Sequence, residues 1–187
     1  MNTKENERYQ VNESAFYTAM EMLLETEPFE KITVKALCER AGLHRTTFYT
    51  HFQDTQGLLE KMYYAMRDDI ASSTASVVRE PDFILNPDYY ILSLNVMKKY
   101  RGLILCVRHR GIGGKMPILE GHHIAYYEIY TPLFDAHHVP ADEREYFYHY
   151  FMSGWLAVAN RWIERGCPEP PEKVASLLVR LAKGYLT

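Results

Sequence analysis

Between Ile32 and Phe52 two short amphipathic stripes stand only three residues apart, and few folds accept that spacing. Thr33 is an N-cap residue type, and Ile32 and Leu37 flank it at hydrophobic-staple spacing. Val34, Leu37, Cys38 and Ala41 then recur at the intervals of one helical face, and Gly42 stands where a left-handed residue ends a helix. After Gly42-Leu43-His44 a second stripe begins at Arg45, with Leu43 and Phe48 again at staple spacing and Phe48 and Phe52 one turn apart. Two short helices joined by a three-residue turn containing glycine are a helix-turn-helix.

The rest of the chain has the same period. Apolar residues recur at three and four, and no segment sustains the alternation of a strand, so the fold class is all-α. The pattern predicts a first helix from about Glu13 to Glu27, with Ala15, Ala19, Met22 and Leu23 inward and Pro28 ending it. A fourth, capped by Asp54, runs to about Val78. Further helices are predicted at 88–100, 102–110, 117–136, 142–165 and 171–185. With 187 residues, 47% of them hydrophobic, there is matter for one large domain or two small ones sharing a core. The expected division is a three-helix head over 1–54 and a C-terminal helical regulatory and dimerisation bundle over 55–187.

The helix from Arg45 separates its faces. Phe48 and Phe52 point inward, whereas Arg45, Thr46, Thr47, Tyr49, Thr50 and His51 offer a guanidinium, hydroxyls, a phenol and an imidazole outward. Arginine can bridge guanine O6 and N7, a threonine methyl can touch a thymine methyl, and the other groups can donate to phosphates. The net charge of −3 excludes coating nucleic acid by bulk charge. Lys31, Lys35, Arg40 and Arg45 against Glu39 alone nevertheless make a small basic patch on this segment.

With Thr33 opening one helix, Gly42 stopping it and Thr47-Phe48-Tyr49-Thr50-His51-Phe52 following, the segment from about Ser14 to Met62 resembles the reading head of the TetR family of bacterial transcription regulators. The resemblance implies base contacts from Arg45, Thr46 and Thr47, and phosphate contacts from Tyr49, His51 and Thr33. Lys35, His44, Thr50 and Thr55 complete the expected DNA-binding set. Two positions depart from the family pattern. His44 replaces the usual Ser, Asn or Asp, and Thr55-Gln56 replaces the usual Lys-Glu, which removes one cationic phosphate clamp. That loss lowers the expected salt slope by about 0.9 in B-DNA, although the amide ends of the fourth helix could hold a phosphate there.

One short reading head buries too little surface to select a genomic site, so a two-fold dimer with heads about 34–36 Å apart is expected on a pseudo-palindromic operator. Met152, Trp155, Trp162, Leu177, Leu178 and Leu181 on the last two helices are the candidate dimer interface. Among fifteen tyrosines, Tyr126, Tyr127 and Tyr130 with His109 are candidate contacts for a small-molecule effector of aromatic or amphipathic character. Release from DNA by that effector, hence repression, is what the resemblance implies.

A rival reading comes from Glu120-Gly121-His122-His123 and Asp135-Ala136-His137-His138, which repeat an acid-x-x-His pattern used by di-iron bundles. On one straight helix Glu120/His123 and Asp135/His138 would stand about 22 Å apart at about 1.5 Å per residue, too far for a shared centre, which leaves a metal-binding protein or metalloenzyme with separate sites, or with the helix bent at Thr131-Pro132, as the alternative. Neither a nucleophile elbow nor a phosphate loop is present, so the expectation is a non-enzymatic protein without cofactor or metal. Cys38, Cys106 and Cys167 form no C-x-x-C pair, and no apolar run follows a basic N-terminal head. A cytoplasmic protein with no membrane anchor is expected.

Overall fold

The computed structural model describes residues 3–109 and 122–184. Those residues form helices α1 (Thr3–Leu24), α2 (Val34–Ala41), α3 (Arg45–His51), α4 (Thr55–Thr74), α5 (Pro87–Lys99), α6 (Arg101–His109), α7 (His122–Ala136), α8 (Arg144–Glu164) and α9 (Pro171–Lys183). Three single-turn 3-10 helices connect them, and no strand occurs among the described residues. The all-α class is thus realised. The chain divides into two compact units, each made of two stretches: 1–67 with 100–110, and 68–99 with 111–187. Packing therefore follows a different line from the functional cut expected after residue 54.

In the first unit α1 begins ten residues before the expected Glu13, and its buried face is Phe16, Ala19, Met20 and Leu23. Met22, expected inward, is exposed because it lies outside the stripe led by Phe16. Asp54 caps α4 as anticipated, its Oδ1 accepting from the Gly57 amide at 2.8 Å. Leu58, Leu59, Met62 and Met66 then bury one side of the helix. It stops at Thr74, and the predicted last turn is a separate 3-10 segment, Val77–Arg79. Helix α6 packs on α1 with Leu103 and Ile104 buried. Its sequence neighbours α5 and α7 belong to the other unit.

The second unit has an aromatic interior. Tyr130 of α7 lies edge-on to Phe83, Tyr148 and Phe151, and Tyr89 and Tyr90 of α5 meet Trp155 of α8. Edge-to-face geometry suits ring quadrupoles, and the polar tips find partners. Tyr90 donates to the Ile84 carbonyl at 2.7 Å, Tyr130 donates to Met152 Sδ at 3.0 Å, and the Tyr89 and Tyr130 hydroxyls meet at 3.3 Å. Burial raises the pKa of both Tyr89 and Tyr130, so these phenols stay neutral. Helix α9 lays Val174, Ala175, Leu178 and Ala182 inward, in part against α5. The α8–α9 turn is closed by Trp162 Nε1 donating to the Glu169 carbonyl at 2.9 Å.

The residues expected at a dimer interface divide by burial. Trp155, Trp162 and Leu178 are buried within one chain, because their helical faces are the ones turned to α5 and to each other. Met152 is half-buried, and Leu177 and Leu181 are exposed.

Candidate nucleic-acid interface

The reading head is built from its caps inward. Thr33 Oγ1 accepts from the Ala36 amide at 3.2 Å and starts α2. Gly42 ends it with φ of +67°, a left-handed conformation that costs glycine nothing and a β-carbon about 1 kcal/mol. Leu43 then donates its amide to the Cys38 carbonyl at 3.0 Å, which sets the turn before α3. His44 opens α3 with no side-chain cap bond, so it is the exposed, weakly capping residue that the sequence indicated.

Two rings anchor the seven-residue α3. Phe48 is fully buried and Phe52 nearly so, and Phe16 of α1 meets both edge-on, at 5.3 and 5.7 Å between centroids. Leu37 of α2 is also fully buried. With that face fixed, Arg45, Thr46, Tyr49 and Thr50 are exposed and Thr47 half-exposed, together with Thr33, Lys35 and His44. Tyr49 is 59% exposed, a large side chain left to solvent on a helix otherwise spending its aromatics on packing. The Thr50 hydroxyl donates to the Thr46 carbonyl at 2.9 Å, so it presents its methyl and oxygen lone pairs rather than a free donor. Lys35 and Glu39 approach to 3.8 Å, an exposed pair too loose to hold the lysine from a phosphate.

His51 departs from the outward set. It is 7% exposed, its ring tilted against that of Tyr9 of α1 with centroids 3.9 Å apart, and bordered by Phe16 and Phe52. Three residues beyond Phe48, it stands on the packed side of the helix, and the early start of α1 supplies the ring that covers it. Its Nδ1 is buried with no hydrogen-bond partner. Burial, opposed by Glu13 and reinforced by Lys61, lowers its pKa, so the imidazole is held neutral. Beside it Lys61 of α4 donates to Glu13 at 3.1 Å and to Tyr9 at 3.4 Å. Burial works against that ammonium, but those two bonds outweigh it and raise its pKa. Tyr9, Glu13 and Lys61 thus bracket the end of α3 from two helices. Local periodicity gave no sign of this, since the three lie 42, 38 and 10 positions from His51.

The start of α4 is less open to a phosphate than the sequence suggested. Thr55 is half-exposed, but the Gly57 amide is already committed to Asp54, whose negative charge also repels a phosphate there. The missing lysine clamp is not replaced by Lys61, which is tied to Glu13.

Of the expected effector contacts, Tyr130 lies in the aromatic core and His109 is exposed at the end of α6. The side chains of Tyr126 and Tyr127 lie outside the described residues. So do Glu120 and the side chain of His123. The other acid-x-x-His pattern is otherwise engaged: Asp135 pairs with Arg144 at 2.7 Å, and His137 with Asp82 at 2.6 Å. His138 is exposed, in a left-handed turn at φ of +52°. Among the described residues no three His, Cys, Asp or Glu side chains come together as metal ligands, and the metal-binding alternative lacks support.

Residues 8–62 match the family described as bacterial regulatory proteins, tetR family, and residues 123–184 match a transcriptional regulator C-terminal region. No curated protein matches the chain. Two solved structures share the fold over nearly all of it. The dihydroxyacetone kinase operon activator DhaS is 16% identical, with TM-score 0.63 over 94% of this chain and 96% of that one. The fatty acid degradation regulator FadR from Bacillus halodurans is 11% identical, with TM-score 0.74 over 94% of each chain. Together the two matched regions span well over half the sequence, and the chain belongs to the TetR family as a DNA-binding transcription regulator.

Proposed function

We propose that this regulator binds a pseudo-palindromic operator as a homodimer, reading bases with Arg45, Thr46 and Thr47 and gripping phosphates with Tyr49, Thr33 and Lys35. The observation that carries this is the exposed set Arg45, Thr46 and Tyr49 on a helix immobilised from behind by Phe48 and Phe52. A recognition element needs that combination of a fixed back and a free front. His44, Thr50 and Thr55 flank the groove, and His51 contributes by holding α3 in place. The functional boundary falls after residue 54, where Asp54 begins the helix leading out of the head.

Exposed Leu156, Leu177 and Leu181 on α8 and α9 support dimerisation through that face, since each is a large apolar side chain left to water. The aromatic interior around Tyr130 suits an aromatic or amphipathic effector, whose preference for one arrangement of the second unit would shift operator affinity. Repression relieved by such a ligand, in the cytoplasm and without enzymatic chemistry, is the mode of action this reading assigns. Among the described residues no helix is long and apolar enough to cross a membrane.

The test is a selection of bound fragments from genomic DNA, followed by salt-titrated competition with wild type and Arg45→Ala. A site preference that Arg45→Ala abolishes supports the reading, and binding of equal strength to every sequence refutes it.

A further inference from the structure

Helix α6 begins against α1 at unusually close range. The Gly102 amide donates to Glu21 Oε2 at 2.8 Å and the Leu103 amide to Glu21 Oε1 at 3.0 Å, so one carboxylate from the reading head's first helix caps the start of α6 with both oxygens. A β-carbon on residue 102 would stand 2.8 Å from Glu21 Oε2, 3.0 Å from Leu24 Cβ and 3.3 Å from the Glu21 carbonyl. A side chain here would displace the Glu21 carboxylate and crowd Leu24, so glycine is what leaves the cap its room. Two orphan amides of the helix and a largely buried carboxylate thereby satisfy each other.

We propose that Glu21 and Gly102 form a proton-operated latch that ties the start of α6 to α1 of the reading head. Ionised, the carboxylate accepts from both amides. When it takes a proton from solvent, one oxygen becomes a hydroxyl, a far weaker acceptor than a carboxylate oxygen, and the bond from one amide weakens. Burial, partly offset by the two amide bonds, raises the Glu21 pKa to about 7, which places the change in the physiological range. Glu25, in the turn just after α1, raises it further and Arg101 on α6 lowers it. Tyr17 one turn back is a phenol whose own pKa is pushed up, chiefly by burial, and it stays neutral here beside Tyr100. A groove of about 380 Å³ beside this corner is lined by Gly102 together with Glu25, Glu27, Glu30 and His109.

The latch and overall stability move in opposite directions with pH. A carboxyl whose folded pKa stands near 7, against an ordinary 4.5, stabilises the fold fully below 4.5 and loses that contribution as pH rises through 7. Acid therefore loosens the α6 cap while this same group strengthens the fold, a split that a residue with only a packing role would not produce.

The experiment is amide hydrogen exchange by NMR on the full chain at pH 5.5 and 8, with Glu21→Gln and Gly102→Ala alongside wild type. A weakened bond to a charged acceptor predicts protection factors at Gly102 and Leu103 about tenfold or more higher at pH 8 in wild type, low and pH-independent in Glu21→Gln. Ile104, whose amide bonds to the Tyr100 carbonyl, should hold its protection. Gly102→Ala should lower protection at both positions at pH 8. Equal protection in wild type and Glu21→Gln, or a uniform fall across the unit, overturns the proposal. Should both variants fail to fold, the wild-type Glu21 carboxyl carbon and the Gly102 and Leu103 amide protons are titrated together. Parallel steps near neutrality support the latch, and flat amide shifts from pH 5 to 8.5 refute it.

Discussion

Tyr49 and His51 stand two residues apart on one short helix and meet opposite surroundings. Tyr49 lies in solvent, and His51 is sealed beneath Tyr9 with an unpartnered Nδ1. Charging His51 would place a cation beside Lys61 in a nearly dry site, and its depressed pKa expresses that cost. A histidine with a depressed folded pKa lends stability above its ordinary value of 6.5, and that stability is lost as pH falls below it. The contribution of His51 should therefore shrink as pH falls below 6.5, and in denaturant titrations at several pH values His51→Phe should lose less stability toward acid than wild type. Arg45 faces outward and touches nothing that the fold needs. Its alanine variant should unfold like wild type in thermal melts while losing about 1–3 kcal/mol of preference for the operator over competitor DNA.

At the scale of elements, Gly42 and Asp54 fix where helices stop and start. Gly42→Ala forces a β-carbon into the left-handed region and should cost about 1 kcal/mol, and Asp54→Ala should cost about the same through its lost cap; equilibrium denaturation measures both. These signals were legible because capping is local: Thr33, Gly42 and Asp54 act within three or four residues, and the sequence displays that range. The buried faces of α3 and α4 were legible for the same reason. The start of α1, the covering of His51 and the Glu21 cap were not. Tyr9 and His51 stand 42 positions apart and Glu21 and Gly102 stand 81 apart, and helical periodicity carries no record of which distant helix meets a given face. The dimer face illustrates the limit. Periodicity identifies α8 and α9 as rich in apolar residues on two sides, but only packing shows that Trp155, Trp162 and Leu178 fill one chain's own core.

For the whole molecule, association should therefore depend on the outward leucines. Leu181→Glu places a charge on a side chain that is 46% exposed and should leave the monomer's fold intact. Light scattering should then report a mass near the 21.9 kDa of one chain, with the helical circular dichroism of wild type. Leu178→Glu, at a buried position three residues away, should instead unfold the chain, since an unpaired charge in a core costs several kcal/mol. Comparing the two variants separates assembly from folding. A wild-type-sized Leu181→Glu species would exclude this face as the one that joins two copies.

The two compact units are each assembled from separated stretches of chain, with α6 contributing to the first from between two helices of the second. Recombination that exchanges a regulator's front for another's at a single junction would separate α1 from its α6 partner. A fragment ending after residue 67 would uncover Leu103 and Ile104's docking surface on α1 and leave the Glu21 carboxylate in a half-built pocket. A working chimera must import residues 100–110 along with the N-terminal segment. Evolution by simple swapping of operator-reading modules is correspondingly constrained in this protein, since both segments would have to change together.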